Sequence, residues 1–387
     1  MIRDLSAELH GDLDRTLQLC QSLDPNKHLV HILHILSIVW REVKRARTWT
    51  PIHTYSSELL SSLHATQFSS ISQAKDYLGT VAAAFAESLI ANAAPACGIR
   101  PLRSALYQFQ DATSPHTLTP VHVPLLKLCI AARHYRVASA MLDERDVVDI
   151  NPTLLPSAVD VVQFYHLAGI VYCACKRFAD AQQSLLIAWT VPTTTLSAVM
   201  VAAYKKYMLV SLLREERVPE MPDFTSSVFR KFYKPCVRPY TKIVDAFASS
   251  DPEKLTTAIA ANEALLVQDG NLGLAKQVVR AHRERGVRRL TRTYVKLSLE
   301  QLAAKAGLRT VADATRQLAA MISEGDLDAS INEPESTVSF QEAPTHHGGA
   351  GATHVLHHQL QQALSLMQKL GQLHQRVAGS REYVKQR

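Results

Sequence analysis

Cysteine is sparse and scattered: Cys20, Cys97, Cys129, Cys173, Cys175 and Cys236. No pair has zinc-finger spacing, and Cys173-Ala174-Cys175 has no second pair to complete four ligands. Six cysteines in so long a chain do not make a disulfide framework, so they are expected to be buried thiols in a reducing compartment. Long apolar runs are missing too. The longest, Val81–Ala86 and Val199–Ala203, are far too short to cross a bilayer. The first residues, MIRDLSAELHGDLD, are charged and have no apolar centre, so no signal peptide is expected there. A soluble intracellular protein is expected. There is no Walker loop, no GxGxxG after a strand, no HExxH and no nucleophile elbow. No catalytic residue, cofactor, metal or small-molecule substrate is therefore expected. Glycine is scarce as well, at 14 of 387 residues. With alanine and leucine abundant and few strand-like runs, the chain reads as nearly all α.

What is present is the apolar content of a globular protein, 47%, enough for about two packed units at roughly 150 residues each. The net charge is +7. Spread over this length it permits acidic partners without demanding them.

The first 110 residues alternate helical patterns with polar breaks. His28, His31 and His34 recur three apart within an apolar helix. No carboxylate or cysteine accompanies them, so they read as core and boundary histidines rather than ligands. Further helices are predicted around Leu59–Leu63, Tyr77–Leu89 and Leu102–Phe109, with a loop from Asp111 to Pro124. An internal repeat follows. Tyr135, Ala138 and Leu142 align with Phe178, Ala181 and Leu185. The second copy, with Tyr165, Ala168, Gly169 and Tyr172 on its first helix, resembles a tetratricopeptide helix pair. Small residues there let antiparallel helices approach, and such pairs must stack to bury their faces. Helices continue through Val199–Leu213, Ser226–Tyr233, a bend at Pro235 and Pro239, Tyr240–Phe247, Leu255–Leu266 and Leu272–His282.

Between Gly286 and Gln341 the period changes. Ser298 and Gln301 have capping-box spacing, and Leu299, Leu302, Ala303 and Ala306 fall on one helical face before Gly307, a C-terminal stop. Val311, Ala314, Leu318, Met321 and Ile322 form the next stripe. Then Leu327, Ala329 and Ile331 alternate with polar residues, as do Val338 and Phe340, the mark of half-buried strands. Glu333-Pro334-Glu335-Ser336 supplies the turn. Helix, turn, helix and hairpin make a winged helix. Residues 341–351 are linker by composition. Beyond them Leu356, Leu360, Ala363, Met367, Leu370 and Val377 recur at heptad spacing, widened by Leu366 and Leu373, as in a helix that packs along other helices.

Four stretches then carry a resemblance: Tyr204–Leu212, Asp269–Gln277, Arg289–Tyr294 with Leu297–Leu299, and Met321–Asn332. The last resembles the signature of the PCI-domain family, shared by the proteasome lid, the COP-9 signalosome and the initiation factor three complex. All four in this order resemble the signalosome branch, over roughly Tyr165–Phe340. The resemblance implies an all-α fold with a small β wing: a TPR-like repeat arc, a winged-helix PCI subdomain and a C-terminal helix. The expected division is 1–195 for the repeats, 196–342 for the PCI domain (helical part 196–285, winged helix 286–342), and 343–387 for the linker and bundle helix. It implies a non-catalytic scaffold in the complex that removes a ubiquitin-like modifier from cullins and so regulates cullin-RING ubiquitin ligases. Its partners would be other PCI and metalloprotease-fold subunits, and cullin-RING ligases indirectly, in cytoplasm and nucleus. A proteasome-lid or initiation-factor subunit is the alternative.

Three surfaces are candidate contacts. Ala329, Ile331, Val338 and Phe340 would form the winged-helix interface. Leu356, Leu360, Met367, Leu370 and Leu373 would face a helix bundle. Lys276, Arg280, Arg283, Arg288, Arg289 and Arg292 form a basic patch, expected to meet an acidic neighbour. Nucleic acid ranks behind that, because the expected recognition helix mixes Arg309 and Arg316 with Asp313, Glu324 and Asp326.

Overall fold

The computed structural model describes residues 13–46, 50–68, 71–114, 116–145, 147, 151, 158–249, 251–308, 310–323, 325–332, 334–340 and separate helical positions between 360 and 375. It divides into two compact units, Met1–His282 and Arg283–Arg387.

Among its described residues, unit 1 is built from helices. Its elements are α1 (Leu13–Ser22), α2 (Pro25–Ala46), α3 (Thr50–Ser62), α4 (Ile71–Ala91), α5 (Ile99–Thr113), α6 (His122–Ala131), α7 (Tyr135–Glu144), α8 (Ala158–Ala174), α9 (Phe178–Thr190), α10 (Ala198–Glu215), α11 (Ser227–Ala248), α12 (Pro252–Ala261), α13 (Glu263–Gln268) and α14 (Leu272–Thr291), whose last turns enter unit 2. One apolar core, including Leu33, Trp40, Phe85, Leu106 and Leu126, runs from α2 to α8. A second, including Leu185, Trp189, Tyr204, Phe229 and Tyr240, runs from α8 to α14. Helix starts are locally encoded. The Ser197 hydroxyl accepts from the Val199 N–H at 3.3 Å, and the Asp251 carboxylate accepts from Glu253 N–H at 3.0 Å, with Pro252 in the first turn.

The repeat is visible as a repeated corner. After α6 the Arg133 backbone is left-handed (φ 58°), and after α8 so is Lys176 (φ 60°). At each corner the following N–H reaches back over the last turn, His134 to the Cys129 carbonyl at 2.8 Å and Arg177 to the Tyr172 carbonyl at 2.9 Å. This is the bond pattern of a Schellman stop. The aligned Ala138 and Ala181, and Leu142 and Leu185, are buried. Gly169 shows why the first helix needs a small residue. A Cβ there would lie 2.6 Å from the Leu185 Cγ atom.

Two expectations for unit 1 are corrected. Helix α5 continues to Thr113 and α6 starts at His122, so the loop between them is shorter than 111–124; Pro124 fits the first turn of α6, where its missing N–H is not needed. The bend at Pro235 and Pro239 is a continuous helix, with both prolines inside α11. Pro235 is exposed and Pro239 half-buried, and the buried face of Phe229, Val237, Tyr240, Ile243 and Phe247 holds the helix against its core. The cysteines also differ from expectation. All six are free, but only Cys20 and Cys129 are buried, while Cys97 and Cys236 are exposed.

Unit 2 contains the end of α14, β1 (Lys296–Ser298), α15 (Leu299–Ala306), α16 (Val311–Ser323), β2 (Ala329–Asn332) and β3 (Thr337–Phe340). The Ser298 hydroxyl accepts from Gln301 N–H at 3.2 Å, and Gly307 ends α15 at φ 66°. Leu299, Leu302, Ala303, Ala306, Ala314, Leu318 and Met321 are its helical core, with Leu297, Leu327, Val338 and Phe340 from the strand side.

Candidate assembly surface

The wing is a three-stranded antiparallel sheet in the order β1-β3-β2. Val338 sits opposite Leu297 on one side and Ile331 on the other. That central place decides its role. Val338 is fully buried and Phe340 is 6% exposed, so both side chains belong to the unit's own core rather than to an interface. This corrects the reading of the pair as exposed contacts. A period-2 apolar strand in the middle of a sheet covers the helices beneath it. Ala329 and Ile331 are half-buried against the same core. What β2 leaves open is backbone. Among the described residues it pairs with β3 alone, and a strand with one neighbour presents unpaired N–H and C=O groups along its outer side.

Of the heptad residues, Leu356, Leu366, Leu373 and Val377 lie outside the described residues. The described positions between 360 and 375 are helical and exposed. Leu360 is 54%, Leu364 57%, Met367 68% and Leu370 64% exposed. Four large apolar side chains at helical spacing, open to water, form a contiguous strip of the kind that marks an interface.

The basic residues are placed along α14 and just after it. Lys276, Arg280, Arg288, Arg289 and Arg292 are exposed and Arg283 is half-buried. Arg288 lies 3.5 Å from Asp326 and 4.0 Å from Glu284, so part of its charge is already answered within unit 2. Helix α16, which a DNA-binding winged helix would lay in a groove, offers little to phosphate. Arg316 pairs with Asp313 at 3.5 Å, while Ala312 and Ala319 are exposed beside it. Arg309 and Glu324 lie outside the described residues.

The arrangement that sequence reasoning missed joins two of the resembling stretches. Lys205 and Lys206 on α10 meet Asp269 and Asn271, from the turn before α14, under Tyr240 of α11. The Lys205 ammonium donates to the Asp269 carboxylate at 2.8 and 3.1 Å. The Tyr240 hydroxyl donates to the same carboxylate at 2.8 Å and accepts from the Asn271 amide at 2.8 Å. Lys206 donates to the Asn271 side-chain oxygen. Burial lowers the Lys206 pKa, against the raising effect of Cys173 and Asp269. The same burial pushes the Cys173 thiol up to about 12. A cysteine held protonated is a poor nucleophile, and a buried lysine that donates to the Asn271 side chain and the Asp269 carbonyl is a strut. The network ties α10, α11 and the turn before α14 together. The available signal was a pair of lysines inside an otherwise apolar helix, which must find partners if buried.

Among the described residues no three His, Cys, Asp or Glu side chains are placed to hold a metal ion, and no helix is long and apolar enough to cross a membrane.

A stack of helix pairs followed by a winged helix with an open strand edge defines the class, a PCI-type helical-repeat protein. The comparisons agree. The PCI domain profile matches residues 259–342, and the profile "COP9 signalosome complex subunit 3, N-terminal helical repeats" matches residues 2–229. The chain belongs to the COP9 signalosome subunit 3 family. It is 28% identical over 302 residues to COP9 signalosome complex subunit 3 of Dictyostelium discoideum, covering 78% of this chain and 72% of that one. It is 29% identical over 276 residues to the same-named protein of Drosophila melanogaster, covering 67% of this chain and 61% of that one.

Proposed function

We propose that this chain is a non-catalytic scaffold subunit of a COP-9 signalosome, the assembly that strips a ubiquitin-like modifier from cullins and so regulates cullin-RING ubiquitin ligases. Its work is to hold neighbours. The β2 edge aligns with the winged helix of another PCI subunit, and the C-terminal helix enters a bundle shared with other PCI and metalloprotease-fold subunits. In this reading residues 1–195 are the repeats, 196–342 the PCI domain and 343–387 the linker and bundle helix, and the complex works in cytoplasm and nucleus. The basic residues of α14 face an acidic neighbour.

The observation that carries the reading is the exposed strip Leu360, Leu364, Met367 and Leu370. Full burial of four such side chains is worth about 1.5–3 kcal/mol each, a gain the described residues of this chain leave unrealised.

The test is incorporation. A chain lacking residues 354–387 is expected to keep its helical circular dichroism and to lose most of its co-purification with other signalosome subunits. Leu364→Glu with Met367→Glu, which keeps good helix formers, should do the same. Undiminished co-purification of both variants with every partner would remove the bundle helix from the proposal. Recovery of proteasome ATPases in place of a cullin-directed metalloprotease would overturn it entirely.

A further inference from the structure

We propose that unit 1 carries a docking groove for an acidic peptide segment of a partner protein, at the corners where α6 turns into α7 and α8 turns into α9. It is a surface groove of about 650 Å³. Arg133, His134, Arg136 and Lys176 line it, with Tyr135 and Val137 among them and no aspartate or glutamate. All four basic residues are exposed. Among the described residues none of the four makes an ion pair. The next arginines in the same repeats are answered. Arg145 pairs with Asp111 at 2.8 Å, and Arg177 with Asp180 at 2.7 Å and with Asp143. Arg145 and Arg177 are thus neutralised, while Arg133, Arg136 and Lys176 in the groove are not.

The placement has a conformational cost, one that Ala93, Glu216 and Ser336 also bear elsewhere in the chain. Arg133 and Lys176 hold equivalent left-handed positions, φ 58° and 60°, in successive repeats. Glycine adopts that conformation most cheaply, and the chain uses it at Gly270 and Gly307. At the two corners that open into the groove it carries long cations instead.

The occupant follows from charge and shape. Converging cations with no anion among them call for carboxylates. The side chains of Tyr135 and Val137 add apolar surface between the charges, which an acidic peptide bearing apolar residues uses and a sugar-phosphate backbone does not. The three cations Arg133, Arg136 and Lys176 also line one groove rather than tracking a line, as a single-stranded nucleic acid requires. This site is distinct from the surfaces of unit 2, and its test needs no signalosome partner.

The experiment uses the full purified chain. A fluorescein-labelled dodecapeptide of alternating glutamate and leucine is titrated by fluorescence anisotropy. The same peptide with glutamine for glutamate is the control, and a twelve-nucleotide single-stranded RNA is the competitor. The acidic peptide is expected to bind at least tenfold more tightly than the glutamine peptide, and to weaken as salt is raised from 50 to 300 mM. Arg133→Gly/Arg136→Gln/Lys176→Gly should weaken binding at least tenfold. Glycine suits both corner positions, so this variant removes charge without straining the fold. Lys176→Glu gives a second, single-site reading, and the exposed Arg316→Gln should change nothing. Binding by the triple variant and by Lys176→Glu within twofold of wild type would overturn the proposal. So would displacement of the peptide by RNA at equal concentration.

Discussion

Replacing Asp269 by alanine isolates the buried network, and its cost can be worked from the contacts. The carboxylate accepts from the Lys205 ammonium and the Tyr240 hydroxyl. A hydrogen bond to a charged group contributes about 1.5–3 kcal/mol, and breaking a buried pair costs about 3–5 kcal/mol because its partner is stranded. The Lys205 side chain keeps 14% exposure and can turn partly to water, which favours the lower figures. Tyr240 is fully buried and cannot. The expected loss is therefore about 3 kcal/mol, a large part of a stability that is typically about 5–15 kcal/mol. At roughly 2–4 °C per kcal/mol in a domain of this size, Tm should fall by about 6–12 °C. Urea unfolding followed by the fluorescence of Trp189, which lies in the same core, measures it. Tyr240→Phe removes two bonds of the network, and the double variant should show a coupling of about 1 kcal/mol or more. Asp313→Ala, at an exposed pair, should cost no more than about 1 kcal/mol. If Asp269→Ala behaves like Asp313→Ala and shows no coupling to Tyr240, the network is not what holds α10, α11 and the α14 turn together.

Other expectations follow from burial and close approach. His122 and His166 are both lowered from 6.5 to about 4, chiefly by burial. A base whose folded pKa lies below its unfolded value favours unfolding once protonated, so stability is retained above pH 6.5 and falls as pH drops from 6.5 towards 4. Each histidine should contribute on the order of 3 kcal/mol to that fall; urea midpoints at pH 7 and 5 check it, and His122→Gln should flatten the dependence. Gly169→Val forces Cγ and Cδ2 of Leu185 away from positions 2.6 and 2.7 Å from the new Cβ, costing about 1–3 kcal/mol by thermal melt, with partial recovery in Gly169→Val/Leu185→Ala. The full chain should show little salt-sensitive retention on duplex DNA through α16, and Arg316→Gln should not alter what there is.

The winged helix was legible because the apolar period changes from 3.6 to 2 within one short stretch. Leu299, Leu302, Ala303 and Ala306 form one face, Ala329 and Ile331 alternate with polar neighbours, and each pattern admits one element type. The repeat was legible from Ala138/Ala181 and Leu142/Leu185, because close helix packing limits what those positions can hold. The continuity of α11 was not. Proline is a helix breaker locally, and only the tertiary burial of Val237, Tyr240 and Ile243 overrides it. Val338 and Phe340 have the same alternation whether they face a partner or their own helices, so periodicity could not assign them. The Asp269 network joins residues 64 positions apart, beyond the reach of any local pattern.

Helix α11 also has a mechanical consequence. Pro235 and Pro239 cannot donate, so the carbonyls of Lys231 and Pro235 lack their usual rungs, four residues apart along the same flank. Ladders missing consecutive rungs on one flank yield there first. Flexing of this repeat array should therefore concentrate at residues 231–239, and hydrogen exchange there should outpace the flanking turns of the same helix.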